Sequence, residues 1–449
     1  MDPSELSAWL KSRQIAEIYC VIPDLSGAAR GKSMTPSVFL NSIKNDGLRL
    51  AEPVMTINIF GEYTFNDYVR RSERDIFLRS DFSTLHQLPW NKDKTACVVC
   101  DVFHADGKPF QLASREILKT VIGLYEQRGW RPIVGPEVEF YLIAKFKGHI
   151  LEPEAPLGVS GLSEFGQHSF GVDSIDEFDD FFEELYDYCE LQDIPLDTLI
   201  HEDGPCQFEV NLSHTDALRV ADQLFLFKRA ARHAARRHDM FVSFMAKPYG
   251  DESGSSMHLH QSIVDADTGK NIFADDDGED STLFRHYVGG LQSYLRDAMP
   301  FFAPYTNSYN RFEAYMSAPT NVHWSRENRT VGLRVPESTP QARRVENRIA
   351  GSDVNPYLAL AATLLCGYVG MVDGIERRAE FVGNAYEDTA RAVPDTLTEA
   401  VKGFRKSEML RKYLGDAIVD TYADLKETEY ENRSRILSPW DVQYLMVNV

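Results

Sequence analysis

His201-Glu202-Asp203-Gly204-Pro205-Cys206-Gln207-Phe208-Glu209-Val210-Asn211 carries two glutamates on either side of a Gly-Pro break. Pro205 fixes its own φ and pushes Gly204 out of the helical region, so two short extended pieces are predicted, with Glu202 and Glu209 free to turn toward one point. Two further stretches reach the same end by alternation. In Gly135-Pro136-Glu137-Val138-Glu139-Phe140-Tyr141 and in Gly254-Ser255-Ser256-Met257-His258-Leu259-His260-Gln261-Ser262, polar residues stand two apart among apolar ones. On a strand that spacing puts each pair on one face. Four glutamates and one or two histidines on three strands predict a carboxylate-rich site for hard divalent cations, Mg²⁺ or Mn²⁺ rather than zinc.

The 449 residues are 43% apolar, enough for two to four domains around a large core. A formal charge of −21 argues against nucleic acid or an anionic membrane as partner and is compatible with a cationic one. Met1-Asp2-Pro3-Ser4-Glu5 has neither a basic nor an apolar leader pattern, so no secretory signal is expected. The longest apolar run, residues 358–372, contains Gly367 and Gly370 and is too short to span a bilayer, which predicts a core helix. Six cysteines without framework spacing suit a reducing, cytoplasmic setting. Cys97-Val98-Val99-Cys100 lies in an apolar, β-branched strand where its two thiols face opposite sides, so core packing is expected over a redox or zinc role.

Along the chain, a short helix over residues 5–13 and a strand over 15–22 lead to Asp24-Leu25-Ser26-Gly27-Ala28-Ala29-Arg30-Gly31-Lys32-Ser33. This stretch is one residue short of a phosphate loop, and a turn between strands is the better reading. Strands at 48–60, 76–79 and 96–103, with a turn at Asp106-Gly107, give a small β-rich unit ending near residue 110. Ser114 is expected to cap a helix reaching Arg128 and closed by Gly129. Residues 147–172 read as a long excursion over the site, and 174–192 as one acidic amphipathic helix. A helix over 215–238 with a basic second half, a strand over 242–247, a solvated loop at 275–280 and helices from 394 to 424 complete the reading.

Between residues 311 and 348 stand Arg311, Arg326, Arg329, Arg334, Arg343, Arg344 and Arg348, while no lysine occurs from 271 to 401. Guanidinium forks gathered in an acidic chain suit planar anions, carboxylate or phosphate, with structural ion pairs as the plainer alternative. Arg343-Arg344-Val345-Glu346-Asn347-Arg348 sets cations beside a metal-type ligand, as a nucleotide and its metal require.

These motifs, with Lys247-Pro248, Asn328-Arg329 and Asn355-Pro356-Tyr357-Leu358, resemble the glutamine synthetase superfamily over nearly the whole chain; within it, Phe208-Glu209-Val210-Asn211-Leu212 with His214-Thr215-Asp216, and Phe244-Met245-Ala246-Lys247-Pro248-Tyr249, resemble the γ-glutamylpolyamine synthetase branch. The resemblance implies an α+β protein, glutamine synthetase/guanido kinase-like: a β-grasp domain over residues 1–110 and a catalytic domain over 111–449 with a curved antiparallel sheet and helices. It implies a cytoplasmic homo-oligomer, commonly a dodecamer, with active sites at subunit interfaces. ATP is the co-substrate, and two or more divalent ions serve each site. Glu139, Glu202 and Glu209 match the ligands of one metal, and Glu137, His258 and Glu346 those of a second. His260, Ser262, Arg344 and Arg334 match nucleotide contacts. Arg311, Arg348, Gly254 and Ser317 fall in the substrate region. Arg329 and Arg334 match the pair against the transferring phosphate, and Asp75 the aspartate that meets the incoming amine from a neighbouring subunit.

The implied reaction phosphorylates the γ-carboxyl of L-glutamate before an amine displaces phosphate. Glutamine synthetases carry a flap ending Tyr-Glu-Ala-Pro, whose acid closes over ammonium. Arg311-Phe312-Glu313-Ala314-Tyr315-Met316-Ser317-Ala318-Pro319 has Ser317 there instead. The lost carboxylate predicts an organic amine, polyamine or monoamine, as acceptor. Glu313 could substitute under another register. Ammonia-dependent glutamine synthesis and a non-catalytic homologue are the alternatives. Tyr386, where some relatives are adenylylated, carries no regulatory expectation.

Overall fold

The computed structural model describes residues 1–45, 47–146, 152–313, 318–388 and 392–446. Two sheets organise the chain. The smaller has six strands within residues 17–103, and its central strand, Thr95–Phe103, lies parallel to Glu17–Pro23 and antiparallel to Asp75–Ser80. The larger has nine strands and is built on Trp130–Ala144, fifteen residues long, which pairs antiparallel with Met257–Asp265, Gln207–Leu212, Met240–Ser243 and Thr215–Asp216. It continues through Val345–Asn347 to Leu333–Val335 and Trp324–Arg326, the last two parallel.

Alternation gives this sheet two unlike faces. Val138, Leu259, Val210 and Val345 point to the core, fully or almost fully buried, with helices Ser114–Glu126, Ala217–Arg237 and Pro356–Asp373 behind them. Glu137, Glu139, Glu209, His258, His260 and Glu346 take the other face. Helix Pro356–Asp373 is apolar on all sides. By length and composition it could cross a membrane, contrary to the shortness read from the apolar run, but 89% of that span is buried inside the protein, so it is the core helix expected.

Several local readings change. Ser114 lies inside its helix, donating to the Pro23 carbonyl at 3.3 Å, and the N-cap is Ala113. The stretch 48–60 holds only a three-residue strand, Arg49–Ala51, before a 3₁₀ turn over Glu52–Thr56. The acidic helix breaks into Val172–Asp176 and Asp179–Leu191, because Phe178 leaves the helical path to bury its ring. The strand expected over 242–247 is Met240–Ser243. The Asp24 segment is a turn between antiparallel strands, with Asp24 accepting from the N–H groups of Ser26 and Ala28 and from Arg30 Nε. Cys100 faces Cys20 and Ser80 while Cys97 faces Arg229, so the two thiols diverge as the strand period requires.

Candidate active site

Strand register assembles the cluster. Glu137 stands opposite Asn211 on one side and His258 on the other, Glu139 opposite Glu209, and Glu346 between His260 and Arg334. Directly opposed residues in antiparallel strands project to the same side, so these pairings converge without help from loops. His258 Nδ1 lies 3.2 Å from Glu137 Oε2 and 3.8 Å from Glu346 Oε1, and its Nε2 lies 3.9 Å from Glu139 Oε1. His260 Nε2 lies 2.8 Å from Glu137 Oε1. Two sets of ligand atoms fall within 4.8 Å of one another: Glu137, Glu209 and His258, and Glu137, His260 and Glu346. These sets share Glu137 and cut across the division implied by resemblance.

The electrostatics ask for cations. Burial and then Glu202 push the Glu139 carboxyl up. Burial, with Glu137, Glu139, Glu202 and Glu346 around it, pushes Glu209 up to about 10. Burial and then Asp203 and Glu137 raise Glu202 to about 7. Burial would raise Glu346 too, but Arg348, His260 and His258 hold it at about 2. At Glu137 the hydrogen bonds from His258 and His260 outweigh burial and lower it. His258 is lowered by burial and by Arg348, and its buried Nε2 has no hydrogen-bond partner. A buried imidazole nitrogen with a free lone pair among carboxylates forced toward their neutral forms is a donor set that fits divalent ions.

The arginines divide by partner. Arg334 Nη1 reaches Glu346 Oε2 at 2.8 Å and Arg348 Nη1 reaches Glu346 Oε1 at 2.6 Å. Arg311, 1% exposed, donates from Nη1 to Ser256 Oγ at 2.8 Å and from Nη2 to the Ile349 carbonyl, and burial lowers it to about 10. Arg329 is exposed on the turn before Leu333–Val335, near enough to Glu202 to offset part of the rise in its carboxyl. Arg326, Arg343 and Arg377 instead converge on Asp280, which is buried and not part of a solvated loop. Part of the arginine belt is therefore structural. The basic half of Ala217–Arg237 behaves likewise: Lys228 is buried and donates to the carbonyls of Ser352 and Val354.

Beside the cluster, a cavity of about 300 Å³ is lined by Gly135, Glu137, Asn211, His260, Ser262 and Arg344. Arg344 Nε donates to His260 Nδ1 at 3.2 Å, linking cavity to cluster. Gly254 packs on Arg311. Asp75 opens a strand of the smaller sheet, half-exposed and 3.7 Å from Arg49, and does not line this cavity. Ser317 and Tyr315 lie outside the described residues.

Three supports were not anticipated. Glu139 Oε2 accepts from the Ser256 N–H at 2.7 Å. Gln207, two residues before Glu209 and so on its face, donates to the Gly254 carbonyl at 3.1 Å while its Oε1 accepts from Gly204 N–H. Glu164 reaches in from the excursion to His201. The strand period could have found Gln207 and Ser256, two residues before Glu209 and His258, whereas nothing local in sequence marks Glu164.

The glutamine synthetase catalytic-domain family matches residues 111–445. A glutamate–isopropylamine ligase from Pseudomonas sp. is 33% identical over 434 residues, 93% of this chain and 92% of that protein. The γ-glutamylputrescine synthetase of Escherichia coli K12 is 34% identical over 76% of this chain and 73% of its own. A solved ligand-free structure of GmaS superposes with a TM-score of 0.85, at 26% identity, covering 98% of this chain and 99% of that one.

Proposed function

This chain belongs to the glutamine synthetase superfamily of carbon–nitrogen ligases, and we propose that it joins the γ-carboxyl of L-glutamate to an organic amine, a polyamine or a simpler monoamine, with ATP converted to ADP and phosphate. The observation that carries this reading is the convergence of Glu137, Glu139, Glu209, His258 and Glu346 beside the buried Arg348. Relatives that act on isopropylamine and on putrescine support an amine as acceptor.

Divalent ions, Mg²⁺ or Mn²⁺, supply charge neutralisation for the phosphates when bound; Glu137, Glu139, Glu202, Glu209, His258 and Glu346 would hold them. Arg311 and Arg348 orient the glutamate carboxylates. An oxygen of the γ-carboxylate then attacks the terminal phosphorus as the bond to ADP breaks, with Arg334 and Arg329 against the developing negative charge. His260, Ser262 and Arg344 hold the nucleotide. The amine nitrogen next attacks the acyl carbon and phosphate departs; the amine must first lose a proton, because a free alkylammonium has a pKa near that of lysine, about 10. In the same reading residues 1–110 and 111–449 are separate domains. The chain assembles as a dodecamer, and Asp75 of a neighbouring copy faces the amine.

A phosphate-release assay with glutamate, ATP and Mg²⁺ across a panel of amines and ammonium tests the proposal. Faster turnover with one or more amines than with ammonium is expected. The reverse order overturns it in favour of glutamine synthesis. Glu313 is the carboxylate through which ammonium could still be held, yet its charge already acts on Lys247. Glu313→Gln should leave amine-dependent turnover within about threefold of the unsubstituted chain, as for loss of one exposed surface charge.

A further inference from the structure

We propose that Glu164 is a positioning residue that locks the turn over residues 202–206 and so aims Glu202 and Glu209 into the carboxylate cluster. The inference rests on the metal-binding reading above.

The turn is short: Glu202 N–H donates to the Gln207 carbonyl at 2.8 Å and Gly204 N–H to Gln207 Oε1 at 2.9 Å, but these bonds leave the Cys206 N–H over. Gln207 N–H donates to the Gly204 carbonyl at 3.0 Å, with Pro205 and Cys206 at its two central positions. The second central position of such a turn favours glycine or asparagine, because φ is positive there. Cys206 occupies it at φ +56 with its side chain fully buried. A non-glycine residue is strained there and persists only where its surroundings fix it. Its N–H points out of the turn and finds no acceptor within it.

Glu164 provides that acceptor. One oxygen, Oε2, accepts from the Cys206 N–H and stands 2.9 Å from His201 Nε2, while His201 Nδ1 lies 2.7 Å from the Glu202 carbonyl. A single carboxylate oxygen therefore ties the residue before Glu202 to the far side of the loop. The carboxylate is only 11% exposed, and its segment is fastened to the same turn twice more: Phe170 N–H donates to the His201 carbonyl at 2.9 Å, and Ser169 Oγ donates to Asp203. Glu164 hydrogen-bonds His201 and Cys206, not the cluster's carboxylates. Its effect passes through the backbone that carries Glu202 on one side of the turn and Glu209, three residues beyond Cys206, on the other. Outer partners that orient metal ligands change metal affinity by about 10- to 100-fold when removed.

Mn²⁺ titration of the full-length protein, read by electron paramagnetic resonance without nucleotide, glutamate or amine, tests this. Glu164→Ala should weaken Mn²⁺ binding by about tenfold or more, and Glu164→Gln, whose amide oxygen can accept in the same place, should stay within about threefold. Glu164→Asp keeps the charge but falls short of the turn, and should resemble Glu164→Ala; it carries the test where Glu164→Ala does not fold. Unchanged Mn²⁺ affinity in Glu164→Ala or Glu164→Asp, or a loss in Glu164→Gln as large as in Glu164→Ala, overturns the inference. Wild-type protein that binds no Mn²⁺ overturns the metal reading itself, which separates the two failures.

Discussion

Gly254 packs directly on the stem of Arg311: a methyl group at residue 254 would stand 2.4 Å from Arg311 Cγ and 2.9 Å from Cδ, and 2.9 Å from the Ala246 carbonyl oxygen. Glycine here is a steric requirement of the buried Arg311 side chain and not of the backbone, whose φ is ordinary. Arg311 is fixed at its far end by Ser256 and the Ile349 carbonyl, so it cannot swing aside without breaking those bonds. Overpacking of a filled site costs about 1–3 kcal/mol. Gly254→Ala should raise KM for glutamate by about 10- to 100-fold, with KM for ATP little changed. Steady-state kinetics with each substrate varied in turn check the split.

Asp280 separates structural arginines from those proposed to bind anions. Its two oxygens take Arg343 on one side and Arg326 and Arg377 on the other, and these cations hold its carboxyl low despite burial. Removing one partner of a buried charged network leaves the others uncompensated, at about 3–5 kcal/mol. Asp280→Asn should lower the unfolding free energy by about 3 kcal/mol in denaturant titration, while KM for ATP and glutamate stays within about threefold. Lost ATP affinity at unchanged stability would return these arginines to the nucleotide.

The convergence of Glu137, Glu139, Glu209, His258 and Glu346 was legible because it depends on the strand period and on β-branched and aromatic neighbours that make strands. Both are local. The fate of each arginine was not legible: Arg343 and Arg344 are adjacent, yet one turns to Asp280 and the other to His260, because both sit in the two-residue link between the 3₁₀ turn Pro340–Ala342 and strand Val345–Asn347. The break at Phe178 was missed for a similar reason. The apolar residues at 175, 178, 182 and 185 fit one helix, but burying Phe178 against Phe208 fixes its direction from outside the segment.

His260 and Arg344 should differ in a diagnostic way. Arg344 lines the cavity and, among the described residues, hydrogen-bonds the cluster through His260, whereas His260 also contacts Glu137. Losing a hydrogen bond to a charged group costs about 1.5–3 kcal/mol. Arg344→Ala should therefore raise KM for ATP by roughly tenfold or more and leave Mn²⁺ affinity unchanged, while His260→Ala should move both. Equal Mn²⁺ affinities in the two variants would break the proposed link between nucleotide and metal.

Metal-free protein should lose stability as pH rises above 5. Glu202 and Glu209 titrate near 7 and 10 in the fold, above the 4.5 of a free glutamate, and Glu139 is raised as well. An acid whose folded value is raised binds its proton more tightly in the native state. Its contribution is fully present below pH 4.5 and is lost as pH climbs through the folded value. For Glu202 alone that loss is on the order of 3 kcal/mol across the window from 4.5 to 7. Glu137 and Glu346 are lowered, so their windows lie below 4.5, whereas the imidazoles of His258, His233 and His86, lowered by burial, contribute stability that grows as pH rises toward 6.5 and offsets part of the loss. A divalent ion replaces the protons that the carboxylates give up, so Mg²⁺ should raise the thermal midpoint more at pH 8 than at pH 5. Thermal unfolding at the two pH values, with chelator and with Mg²⁺, measures all four midpoints. A metal-free midpoint that holds steady or climbs with pH, with equal Mg²⁺ increments at both values, would mean that these carboxylates do not share one charge-starved site.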